Sequence, residues 1–253
     1  MHAVQDPEQD RIAAFLRTMP AAYARVFDRN DVLEHLRIVE RREDAVAHAG
    51  VWRTLPNGGV VGLIVADDRP GLLSLVSAAL VAHRLDVTSA QIYCRERTDS
   101  VLEAMDLFWL RAADALRAPR SIGPEELTSV ACLLGELIGA EAQADQQHSR
   151  ASVPPVDPGP SPKVFFDVRA LRRGEFVLVV ETRDVPGLLL AVTRALFRKD
   201  VEIIASDVRT EAGIARDRFT LSGPGGSLLA AERLADVQRE VLLVVRSLRH
   251  RPL

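Results

Sequence analysis

Apolar residues fall into runs and stripes along this chain, and one series of them occurs twice. Val60 to Ala66 is an almost unbroken apolar run, and so is Phe176 to Val180. Such runs, rich in β-branched residues, predict strands buried on both faces. An Asp-x-Pro-Gly junction follows each run, at Asp68–Gly71 and Asp184–Gly187. Beyond it the apolar period changes to that of a helix. Leu72, Val76, Ala79 and Leu80 share one face, as do Leu188, Val192, Ala195 and Leu196. The proline is expected at the first helical position, where a missing N–H costs nothing. Asp86-Val87 and Glu202-Ile203 open a second strand, and Val101–Leu110 and Ile214–Leu221 supply a third. Turn-rich breaks come next, at Ser121–Pro124 and Gly223–Gly226. A second helix ends each series, with Leu127, Val130, Leu134 and Leu137 as one stripe and Leu234, Val237, Val241 and Val245 as the other. Glu125 and Glu126 lie in its first turn, where the helix dipole favours acids.

The two series are copies. Asp68, Pro70 and Gly71-Leu72-Leu73 match Asp184, Pro186 and Gly187-Leu188-Leu189, 116 residues on. Asp106-Leu107-Phe108 matches Asp217-Arg218-Phe219. Between them, Gln143 to Pro162 holds five of the 14 prolines and reads as an extended, linker-like segment. Lys163 to Val168 then reads as a strand that closes the first unit, giving β-α-β-β-α-β. The expected fold is α+β, with two ferredoxin-like units in tandem behind a helical N-terminal arm. The expected boundaries are 1–55 for the arm, 56–173 for the first unit and 174–253 for the second, which lacks an obvious closing strand.

Composition narrows the function. The 253 residues suit two units plus an extension, at roughly 100–200 residues per domain. Lys plus Arg is 32 and Asp plus Glu is 35, so the formal net charge is −3. There is no overall basic field for nucleic acid or an anionic membrane. No stretch of about 18 apolar residues predicts a membrane span, and the opening MHAVQDPEQD lacks a basic-then-apolar leader. A soluble, cytoplasmic protein is expected. Cys94 and Cys132 make neither a disulfide framework nor a zinc quartet, and neither metal nor cofactor is expected. Arg95 beside Cys94 would lower that thiol's pKa, whereas Cys132 falls in a helix stripe and reads as core. The 30 arginines against two lysines are spread evenly, a coding bias rather than a phosphate site. The pairs Arg41-Arg42 and Arg172-Arg173 read as solvated faces.

The strand, Asp-Arg-Pro-Gly-Leu-Leu junction, helix and Ser89-Ala90-Gln91-Ile92 strand resemble an ACT domain. Two such units lie behind Phe15–Pro20, Tyr23 and Asp31–Arg37, with Val164–Asp167 between them. Together they resemble the C-terminal regulatory region of the bacterial PII uridylyltransferase/uridylyl-removing enzyme family, over nearly the whole chain. The resemblance implies a small amino acid as ligand, glutamine by analogy. It also implies pairing of ACT domains within the chain or in a homodimer, and a regulatory protein or catalytic subunit as partner in nitrogen signalling. The family's catalytic parts are another matter. A nucleotidyltransferase needs a Gly-rich loop and an Asp-x-Asp pair to hold two metal ions, and its phosphohydrolase needs adjacent His-Asp. The first arrangement does not occur, and none of the six histidines precedes an aspartate. The chain is therefore not expected to be an enzyme. The family often carries Asn at the start of the second strand. Asp86 and Glu202 stand there and would repel a ligand carboxylate.

The candidate ligand set is Asp68, Arg69, Pro70, Gly71, Leu72, Ser89 and Gln91, with Asp184, Val185, Pro186, Gly187 and Leu188. At a helix start the first N–H groups lack partners and favour a small anion, and glycine admits close approach. Asp68 could meet an ammonium or cap the helix. Val185 in place of Arg69 removes a positive charge, so the first copy should hold an anion better. Three readings remain open. One is a ligand-sensing regulatory module, another a subunit of a split uridylyltransferase, and the third a pairing module without ligand.

Overall fold

The computed structural model describes residues 7–97, 101–113, 120–141 and 161–249. The candidate linker falls mostly outside these residues. The chain begins with α1 (Pro7–Thr18), a 3-10 turn at Tyr23–Arg25 and α2 (Arg29–Glu40). Next come β1 (Ala47–Thr54), β2 (Val60–Asp67), α3 (Leu72–Ala82), β3 (Leu85–Glu96), β4 (Leu102–Ala112) and α4 (Pro124–Glu141). The second copy follows as β5 (Lys163–Phe166), the short α5 (Val168–Leu171), β6 (Phe176–Arg183), α6 (Leu188–Arg198), β7 (Glu202–Glu211), β8 (Ile214–Ser222) and α7 (Ala231–Arg249). The fold is α+β. Among the described residues eight strands form one antiparallel sheet in the order β1-β2-β4-β3-β7-β8-β6-β5.

That order corrects the expected strand pairing. Lys163–Phe166 does not close the first copy. It pairs with β6, Val164 opposite Val180, and so forms the outer edge of the second copy. The matching edge of the first copy is β1, a strand inside the segment expected to be wholly helical, with Ala49 opposite Ile64. Each copy thus runs β-β-α-β-β-α, with its edge strand first. A hairpin reaches β2 from β1 across five residues, Leu55–Gly59, closed by Leu55 N–H donating to the Gly59 carbonyl. Such a local closure costs far less chain entropy than a return from the far side of α4.

The helix starts also differ from expectation. α3 and α6 begin at Leu72 and Leu188, with Gly71 and Gly187 as their N-caps at φ +80°. Pro70 and Pro186 lie one residue outside the caps. The chain must turn from strand to helix through a left-handed residue, which glycine adopts without steric cost.

The two sheet faces are covered differently. Val60, Ile64, Ala66, Phe108 and Leu110 point toward α3 and α4, and Leu178, Val180, Phe219 and Leu221 toward α6 and α7, in one continuous core. The opposite face of the first copy is apolar as well. Val61, Leu63, Val65, Met105 and Leu107 pack under the N-terminal arm with Phe15, Tyr23, Phe27, Val32 and Leu36. Tyr23 and His35 are fully buried there, with Tyr23 Oη 2.7 Å from His35 Nδ1. In the second copy the equivalent positions to Val65, Met105 and Leu107 are Glu181, Arg216 and Arg218, which form ion pairs instead. The apolar cluster on this face is small, Val177 and Val179 against Ala170 of α5. Arg42, expected on a solvated face, is 5% exposed. It joins the arm to the sheet through Glu103 at 2.6 Å.

The two copies meet along β3 and β7. Ser89 pairs with Arg209, Ala90 with Val208 and Gln91 with Asp207. Gln91 and Asp207 are themselves matching residues of the repeat, so this register relates the copies by an approximate two-fold axis through that pair. Each of these strands also carries a register shift at the same repeat position, beside Thr88 and beside Ile204.

Candidate functional site

The approximate two-fold axis brings the helix-start loop of each copy toward the other copy's first helix. At the second-copy loop, Asp184, Val185, Gly187 and Leu188 line a small cavity together with Ser77, Leu80 and Val81 of α3 and Asp86 and Val87 of β3. Val208, Thr210, Ala215 and Asp217 complete it from β7 and β8. The space is about 20 Å³, enough for one water-sized group.

Its polar end carries Asp86, Asp184 and Asp217, with Arg111 reaching the first two. Arg111, on β4, donates to Asp86 Oδ2 from Nε at 2.9 Å and from Nη2 at 2.6 Å. The same Nη2 reaches Asp184 Oδ2 at 3.0 Å. Arg111 therefore neutralises the acid expected to repel a ligand carboxylate, because Asp86 and Arg111 lie opposite each other in the β3–β4 ladder. Burial raises the pKa of Asp184, and nearby Asp86 adds to this. Arg111 and the Thr210 hydroxyl oppose the shift. Asp217 is 1% exposed, and its Oδ1 has no hydrogen-bond partner. Burial, with the charge of Asp184 beside it, pushes its pKa up to about 8. The backbone N–H of Arg209 opposes this shift, but a buried carboxyl with one oxygen left unpartnered is costly when ionised, so Asp217 holds a proton at neutral pH.

The first-copy loop has a different environment. The side chain of Asp68 caps no helix. Its Oδ2 accepts from Cys94 Sγ at 3.4 Å. Cys94 matches Thr210 in the repeat, and its thiol pKa is not lowered by Arg95 but pushed up to about 12 by burial and by Asp68. Asp106 matches Asp217 and is likewise buried, with Oδ1 unpartnered and its pKa raised by burial and by Asp68. The position of Arg111 is taken by Ser222, and Glu202, opposite it, accepts from the N–H groups of Gly225 and Gly226. Arg69, the expected anion ligand, lies with Nη1 3.5 Å from the Ile138 carbonyl near the end of α4. The ring of Phe197 covers Gly71. A Cβ built on that glycine would stand 2.8 Å from Phe197 Cε2.

The structure thus draws Asp184, Val185, Gly187 and Leu188 into one cavity, with Pro186 in the turn between them. It places Asp68, Arg69, Pro70, Gly71 and Leu72 at the pseudo-symmetric position. Ser89 and Gln91 lie on the seam instead, where Gln91 Oε1 accepts from Tyr93 Oη at 3.2 Å. Arg111, Thr210, Asp217 and Asp106 were not in the candidate set. Their signal was an acid in the middle of an apolar strand, Ala-Met-Asp-Leu-Phe, repeated as Ala-Arg-Asp-Arg-Phe. Cys132, expected in the core, is exposed. Among the described residues no group of three or more His, Cys, Asp or Glu could hold a metal ion, and no helix is long and apolar enough to cross a membrane.

No protein-family model matches the chain. It is similar to proteins named bifunctional uridylyltransferase/uridylyl-removing enzyme. That of Phenylobacterium zucineum (strain HLK1) is 26% identical over 231 residues, which is 89% of this chain and 23% of the relative. That of Rhodospirillum rubrum is 29% identical over 87% of this chain and 23% of its own length. That of Streptomyces coelicolor is 29% identical over 72% and 21%. The chain spans less than a quarter of the length of these curated relatives. A crystal structure of an unknown protein from Galdieria sulphuraria aligns over 80% of this chain and 91% of that one, at 18% identity. Its TM-score of 0.22 is too low to support an argument.

Proposed function

We propose that the chain is a non-catalytic regulatory module that binds a small amino acid, glutamine by analogy, and signals to a protein partner in nitrogen regulation. In this reading residues 47–141 and 163–249 are two ferredoxin-like ACT domains, paired within one chain by β3 and β7. The proposed division moves the closing strand, and with it the boundary, from the one expected from sequence. One observation carries the reading. The helix-start loop of one copy faces the first helix and second strand of the other, and buried charges converge between them. Ligand bound at such a junction changes the fit of the two copies, and that change is the signal. Useful coupling needs only about 1–3 kcal/mol.

The cavity of about 20 Å³ takes only the smallest end of an amino acid. Asp184–Leu188 must move outward to admit the rest. Such a loop shift is a means of coupling occupancy to the seam. Calorimetric titration of the chain with the twenty common amino acids, glutamine first, tests the proposal. Saturable binding of at least one, with a rise in melting temperature of several degrees at about 100 times Kd, is the expected result. Heat of dilution alone for all twenty at 10 mM rejects it.

The names of the relatives favour a second reading, a subunit of a split uridylyltransferase. Transfer of label from UTP to a PII protein by the chain alone, with magnesium, would establish catalysis and defeat the non-catalytic reading.

A further inference from the structure

The repeat supplies two helix-start loops, but the side chains that close over them differ. Val81 of α3 and Phe197 of α6 are matching residues, each near the end of its helix and each facing the other copy's loop. Val81 lines the cavity that contains Gly187. Phe197 lays its ring on Gly71, with Cε2, Cδ2 and Cζ at 2.8, 2.9 and 3.2 Å from where a Cβ would stand. The aromatic ring therefore fills in the first copy the space that valine leaves open in the second.

The charged groups around the two loops differ as well. Asp86, Asp184 and Asp217 line the open cavity, and Arg111 bridges Asp86 and Asp184. With Asp217 neutral, two carboxylates face one guanidinium, and the Asp217 Oδ1 atom is buried without a partner. A compact cation that donates hydrogen bonds would complete both the charge and the hydrogen bonding. At the closed loop Asp106 Oδ1 is likewise buried without a partner beside Asp68, but Ser222 replaces Arg111, Glu202 is engaged by Gly225 and Gly226, and the ring of Phe197 lies over Gly71.

We infer that the chain holds one ligand site rather than two. It lies at the second-copy loop, takes a small molecule by its ammonium group, and is selected by Val81 against Phe197. This deepens the amino-acid reading and rests on it for the identity of the whole ligand. It reverses the ranking expected from Arg69, whose guanidinium lies at the Ile138 carbonyl.

The test uses the full chain with methylammonium as the probe, so that it stands even if no amino acid binds. The carboxyl carbons of Asp217 and Asp106 are followed by NMR at pH 7 as methylammonium chloride is added, with sodium chloride as the ionic control. Asp217 is expected to shift saturably while Asp106 stays still. Val81→Phe should abolish the Asp217 response, and Phe197→Val should create a response at Asp106, each variant being checked for native circular dichroism. An Asp217 that does not move, equal responses at both carboxyls, or an Asp217 response that survives Val81→Phe each overturns the inference. Where an amino acid binds, the calorimetric stoichiometry should be 1 per chain and rise to 2 in Phe197→Val. A stoichiometry of 2 in the unaltered chain rejects the single site while leaving amino-acid sensing intact.

Discussion

Asp217 and Asp106 occupy matching places on β8 and β4, and each turns a carboxyl toward the helical layer, where its neighbours on the strand are Ala215 and Phe219 or Ala104 and Phe108. Nothing in the packing requires an acid there. An asparagine would fill the same volume without a proton to hold. The pH dependence follows from the raised value at Asp217. The native state keeps this proton up to about pH 8, whereas the unfolded chain releases it near 3.8. Between those values the native state binds more protons than the unfolded one, so unfolding becomes easier as pH rises. The contribution is fully present below about pH 4, is lost progressively up to about pH 8, and is flat above. Its slope is at most about 1.4 kcal/mol per pH unit. Asp184, Asp86, Asp207 and Arg111 face the same region and share the field. Asp217→Asn is expected to melt near the parent temperature at pH 4 and clearly above it at pH 8. Equal shifts at both pH values, measured by scanning calorimetry, would show that Asp217 is ionised in the native state. His35 acts with the opposite sign. Burial, with Arg53 nearby, holds its pKa down to about 4, so its share of stability is present above about pH 6.5 and lost as pH falls through 4.

At the scale of elements, the informative pieces are the two short edge strands. β1 and β5 each lead into a helical copy and pair with its first long strand. β5 is four residues long, too short to be held by its ladder alone. Val164 and Phe166 face the core, and the Gln238 side chain of α7 donates to the Val164 carbonyl at 2.8 Å. This makes β5 part of the second copy energetically as well as topologically. Val164→Asp, which buries a charge, should cost about 2–4 kcal/mol. Amide exchange should quicken in β6 and β8 while β2 and β4 keep their protection. The reverse pattern would mean that residues 163–166 close the first copy after all.

For the molecule as a whole, the seam between β3 and β7 is narrow, three paired residues, yet the core continues across it through α3 and α6. Val208, 3% exposed, lies on this seam. Val208→Asp should therefore break the cooperation of the two copies as well as lower stability. Two calorimetric transitions are expected in place of one. A single, uniformly lowered transition would show that the helical layer alone couples the copies. The arm adds a second asymmetry of the whole. It covers only the first copy, because Val65, Met105 and Leu107 offer an apolar face where Glu181, Arg216 and Arg218 offer a charged one.

Much of this was legible in the residues themselves. The repeat, the long strands, the helix faces and the glycine turns follow from local periodicity and backbone preference, which act within a few residues of each other. Leu72, Val76, Ala79 and Leu80 were read as one face, and all four are buried. The partner of a strand is not a local property. Lys163–Phe166 can pair with either copy by its own pattern, and only the cost of closing the loop and the packing of α7 decide that it joins β6. The same holds for the site. Asp184 and Asp86 lie almost a hundred positions apart, and Arg111 is shared between them only because the two-fold seam sets both within reach of one side chain. Sequence determined two similar loops. The tertiary structure made them unequal, because what closes each loop is a side chain of the other copy, and there valine and phenylalanine fill different volumes.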